Sequence, residues 1–97
     1  MKILDRLKME LSNQEYFSDE QYTQFLLENG LSAVAEYNKD TDQRQMLLSA
    51  LDILEAVSND IDIMRQTITE FTTTSQAYKY LEKRIQNLRD KIASIPE

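Results

Sequence analysis

The sequence predicts an all-α domain, about four helices in a small bundle, and three observations carry that expectation. Glycine and proline occur once each in 97 residues, too rarely for the bends of a turn-rich sheet protein. Several segments repeat their apolar residues at helical spacing. The last is the clearest: Tyr78, Leu81, Ile85, Leu88, Ile92 and Ile95 step by three and four residues, with no Gly or Pro between Ser75 and Ile95. That rhythm keeps one stripe on one side of a helix. A chain of this length makes a single domain, residues 1–97, and buries roughly 60–68% of the surface its unfolded form exposes.

The first helix is expected over residues 3–11. Ile3, Leu4, Leu7 and Leu11 share a face, and Asp5, Arg6, Lys8 and Glu10 spread over the rest. Ser12, Asn13 and Gln14 close it. Ser18 reads as an N-cap, and Gln21 three residues on completes a capping box. The second helix turns Tyr22, Phe25 and Leu26 inward, with Leu27 as a further candidate. It ends at Asn29-Gly30-Leu31, where the only glycine suits the left-handed residue after a helix and Leu31 covers the helix end.

Residues 32–39 form a polar connection, anchored to the core by Val34 and Tyr37. Asp40 or Thr41 caps the third helix, and Asp42 in its first turn favours the positive end of the helix dipole. Met46, Leu47, Ala50, Leu51, Leu54 and Val57 form its apolar series and Ile53 widens it, which makes this the central helix. Leu51 and Leu54 are expected to be fully buried. Between residues 59 and 74 two patterns compete. Ile61, Met64, Ile68 and Phe71 keep a helical period, but residues 67–74 are dense in β-branched side chains. The expectation is that helix three persists to about residue 65, followed by a short extended flap near residues 67–73. Thr74 or Ser75 then caps the last helix.

Composition removes several classes of chemistry. With no cysteine and no histidine, there is no disulfide, no thiolate nucleophile and no imidazole base or metal ligand. The pair Asp60 and Asp62 would open a calcium loop, but Arg65 stands at its sixth position and Phe71 at its twelfth. Asp40 and Asp42 fail the same test at Gln45 and Leu51. The hydroxyl run Thr72-Thr73-Thr74-Ser75 has no base beside it, and one glycine cannot build a phosphate loop. No enzymatic activity, cofactor or metal is expected. A net charge of −6 argues against a nucleic-acid surface, which rests first on cations. Residues 1–12 hold no apolar core of a signal peptide, and no stretch is apolar enough to span a membrane. The expected setting is soluble and cytoplasmic.

One feature of the charge pattern bears on function. Lys79, Lys83, Arg84, Arg89 and Lys91 flank the last seam in an otherwise acidic chain. Such a run is either a solvated helix face or a basic helix that docks on an acidic neighbour. Lys83, Arg84, Arg89 and Lys91 are the candidate interface residues, with Tyr80 as a candidate aromatic anchor. A homodimeric coiled coil is disfavoured, because parallel pairing sets Arg84 against Arg89 and antiparallel pairing sets Arg84 against Lys91. The seam is therefore expected on helix three of its own chain or on a heterologous neighbour.

The layout also resembles the small helical head–tail connector, or adaptor, proteins of tailed bacteriophages and prophages. The matching features run in order along nearly the whole chain. They are the opening Ile3-Leu4-Asp5-Arg6-Leu7-Lys8, the second helix ending in Glu28-Asn29-Gly30-Leu31, the central Ala50-Leu51-Asp52-Ile53-Leu54-Glu55, a β-prone segment and a closing helix. The resemblance implies a non-enzymatic virion structural protein that joins a homo-oligomeric ring between portal and tail. It implies assembly in the cytoplasm of a bacterial host, then residence in the virion. A ring uses head-to-tail interfaces, and the basic last helix against an acidic neighbour suits one. The alternative from another class is a small cytoplasmic regulator or chaperone-like module that docks its C-terminal amphipathic helix in a partner's groove.

Overall fold

The computed structural model describes residues 1–60 and 74–95. Among these residues the chain is all-α, with four helices and no strand: α1 (Ile3–Glu10), α2 (Asp19–Glu28), α3 (Lys39–Ser58) and α4 (Thr74–Ser94). The expected flap near residues 67–73 and the stretch 61–65 lie outside the described residues.

Each boundary has a local cause. Leu11 follows α1, and Ser12 and Asn13 then adopt left-handed angles, φ 57° and 58°. The Asn13 amide donates back to the Lys8 carbonyl, which closes the helix end. Ser18 caps α2 in the expected reciprocal box. Its hydroxyl accepts from the Gln21 amide, and the Gln21 side chain accepts from the Ser18 amide. At the other end the Gly30 amide donates to the Leu27 carbonyl and the Leu31 amide to the Leu26 carbonyl, with Gly30 at φ +79°. This pair of bonds is the Schellman arrangement, and Leu31 is buried over it.

Three boundary expectations are corrected. The N-cap of α3 is Asn38, not Asp40 or Thr41. Its side chain accepts from the Asp40 amide while its own amide donates to Asp42. Several adjacent residues can cap here, and the one whose backbone is extended does so. Helix α3 stops at Ser58, short of residue 65, with Asn59 as its C-cap. The run Ser58-Asn59-Asp60 offers side chains that compete for backbone bonds, and the Ser58 hydroxyl donates to the Glu55 carbonyl. Thr74 and Ser75 lie within α4 rather than before it.

Helix α3 is central. Helices α1, α2 and α4 all pack on it, α1 also meets α2, and α4 makes its close backbone approach to α3 alone. One contiguous core joins Ile3, Leu7 and Leu11 of the first segment, Tyr22 and Leu26 of α2, the α3 stripe and the α4 seam. Within α3, Met46, Leu47, Ala50, Ile53, Leu54 and Val57 are buried, but Leu51 is only partly so. The α3 stripe is wider than the surface its neighbours cover at that point. Ser49 is fully buried and satisfied, its hydroxyl donating to the Gln45 carbonyl at 2.9 Å.

Two loop and helix anchors also differ from expectation. Leu27 is 57% exposed and Val34 75% exposed. The connection between α2 and α3 is held instead by Ala33, which is buried, and by Tyr37, which is partly buried beneath the Arg6 guanidinium at 5.2 Å. Backbone bonds to the chain start complete the tie: Ile3 to the Ala35 carbonyl, Leu4 to the Ala33 carbonyl and Tyr37 to the Met1 carbonyl. An irregular loop has no period to say which side chain turns inward.

Candidate interaction surface

The α4 seam is used within the chain. Leu81, Ile85 and Leu88 are buried in the core, joined by Ala77 one residue before the expected Tyr78, which is only partly buried. Ile92 and Ile95 at the end of the helix are also partly buried. The choice left open between a neighbouring chain and helix three is thus resolved for the seam's middle: it packs on α3.

The cations around the seam divide into two groups. The Arg84 guanidinium reaches back to α1 and donates to the Glu10 carbonyl at 2.6 Å. It there satisfies one of the carbonyls that a helix end leaves without partners, at the negative end of the α1 dipole. Arg89 pairs with Glu55 of α3 at 3.2 Å across an exposed edge. Tyr80 is partly buried against the core. By contrast Lys79, Lys83 and Lys91 are exposed, and none makes an ion pair among the described residues. Of the sequence-picked set, Lys83 and Lys91 remain open to a partner, whereas Arg84 and Arg89 bind their own chain. Reversal of both arginines would therefore disturb the monomer as well as any interface.

Two surface depressions flank α4. A polar groove beside the C-terminal half of α3 is lined by Glu55, Asn59, Lys79, Lys83, Gln86 and Arg89 among others. A cleft of about 350 Å³ lies between α3 and the end of α4, floored by Leu48, Leu51, Ile92 and Ile95 and edged by Arg44 and Arg89. Sequence reading found the seam residues but not this cleft, because it exists only where two half-covered stripes diverge.

The opposing charge lies around α2. Residues 19–38 include Asp19, Glu20, Glu28 and Glu36 and no cation. Asp19 pairs with Lys8 at 2.9 Å, and that hydrogen bond is the main reason the Lys8 ammonium titrates above its ordinary value. Glu36 pairs with the Met1 amino group, which holds its carboxyl below the usual range. Glu20 and Glu28 are exposed and unpaired among the described residues.

Among the described residues no group of three or more acidic side chains is placed to hold a metal ion. Asp42 is occupied at the α3 N-terminus by the Asn38 amide and the Thr41 hydroxyl, while Asp62 lies outside the described residues. Among the described residues no helix is long and apolar enough to cross a membrane. In comparisons with protein-family models, curated proteins and solved structures, nothing matches the chain.

Proposed function

We propose that the chain is a non-enzymatic assembly subunit, a head–tail connector that joins a ring between the portal and tail of a bacteriophage. Its order of helices agrees with that reading, and so does its surface. The observation that carries it is the division of α4. The middle of its seam is buried on α3, while Lys79, Lys83 and Lys91 stay exposed on a chain whose first 60 residues hold twelve acids against five cations. Such a molecule presents basic and acidic surfaces on different elements, as a head-to-tail assembly requires. It would be made in the bacterial cytoplasm and end in the virion.

The rival reading, a regulator that docks α4 in a partner's groove, needs the apolar face that α3 already covers. The connector reading is tested by sedimentation and electron microscopy of the chain mixed with a candidate portal. A stoichiometric ring on the portal is expected. Replacing both Lys83 and Lys91 by Glu should weaken it while leaving helicity intact. Failure to bind any portal or tail partner overturns the reading.

A further inference from the structure

We propose that the cleft between α3 and the end of α4 receives the outer face of α2 from a second copy of this chain, with Leu27 as the inserted side chain. This rests on the reading of the chain as a self-assembling subunit and names the two surfaces that meet.

The cleft is an apolar floor with a cationic edge. Leu48, Leu51, Ile92 and Ile95 are each left partly exposed there, and the only charged groups in its lining are the guanidiniums of Arg44 and Arg89. The α2 surface is its chemical complement. Leu27 stands 57% exposed, with Glu28 beside it in the chain and Glu20 two helical turns before it, and α2 carries no cation at all. An apolar side chain between acids fits an apolar floor between arginines. Burying Leu27 removes its surface from water, and the flanking charges set orientation.

The same charges select how two copies meet. Cleft against cleft would bring Arg44 and Arg89 towards their own copies. Contact of α2 with α2 would do the same to Glu20 and Glu28. Both symmetric arrangements repel, and only the cleft of one copy on the α2 face of the next is attractive. The two surfaces share no residue, and α2 and α4 pack on α3 without a close backbone approach to each other. One copy can therefore offer both at once, which is the condition for a heterologous contact to continue into a ring or filament.

Analytical ultracentrifugation of the full chain over a concentration series tests this, with circular dichroism to verify the fold. The variants are Leu27→Lys and Ala93→Glu, the second at an exposed residue of the cleft wall. Both sites lie on the surface, so the monomer should fold in each. The wild type should self-associate, and more weakly as salt rises. Each single variant should weaken association roughly tenfold or more, as loss of a central contact does. The double variant should recover much of it, because the introduced ammonium of one copy meets the introduced carboxylate of the next. Association that ignores both single variants, or a double variant no better than the weaker single, overturns the assignment and leaves self-assembly through another surface. A wild type that stays monomeric alone yet forms a ring on the portal overturns the inference while the connector reading stands.

Discussion

Arg84 of α4 donates a hydrogen bond of 2.6 Å to the backbone carbonyl of Glu10, the last residue of α1. The contact spans 74 positions of sequence and ties the closing helix to the opening one. It turns a residue that looks like surface charge into part of the fold.

Arg84→Met should therefore destabilise the monomer by about 1.5–3 kcal/mol, the range for a hydrogen bond to a charged group. Arg89→Met removes only an exposed pair with Glu55 and should cost about 0–1 kcal/mol. Urea unfolding of the two variants checks the contrast. Equal, negligible losses would place Arg84 among ordinary surface cations.

In the core, Leu54 is 1% exposed and Leu51 only partly buried. Leu54→Ala should cost about 2–5 kcal/mol, and Leu51→Ala clearly less. Thermal unfolding measures both. A reversed order would mean that the α3 stripe is rotated relative to its neighbours.

Gly30 has φ +79° and open space where a Cβ would sit. Gly30→Ala should thus cost roughly 1 kcal/mol through backbone strain alone, with no repacking of neighbours. Ser12 and Asn13 hold left-handed angles without being glycine. Ser12→Gly should be neutral or stabilising, and more favourable than Asn13→Gly, because Asn tolerates that conformation better. Chemical unfolding of the three variants gives the ranking.

The buried Tyr22 hydroxyl accepts from the amides of Tyr16 and Phe17 and donates to the Gln14 carbonyl. Tyr22→Phe leaves those groups unpaired and should cost about 1–3 kcal/mol. Burial also raises the Tyr22 pKa above its ordinary value of 10.0. Above about pH 10 the unfolded phenol ionises while the folded one keeps its proton, so stability present below that pH falls as pH rises. The loss should be smaller in Tyr22→Phe, measured by urea unfolding from neutral to alkaline pH.

Much of the fold was legible because its signals are local. The α4 seam, the α3 series, the Ser18–Gln21 box and the Gly30 cap each rest on residues within about one helical turn, where helix geometry dictates who meets whom. The acidic α2 stretch and the basic α4 flank were legible too, since charge is read directly from residue type.

Contacts between distant segments were not. Nothing in the sequence joins Arg84 to Glu10, Arg89 to Glu55 or Asn29 to Asp52, and a helical period says which residues share a face but not how far a neighbour covers it. That coverage left Leu27, Leu48 and Leu51 partly or largely exposed and made the cleft. By itself the sequence determined the class of fold, its main helices and the sign of each surface. Only the tertiary structure decided which cations serve the monomer and which face outward, because that depends on where helices packed on α3 come to lie.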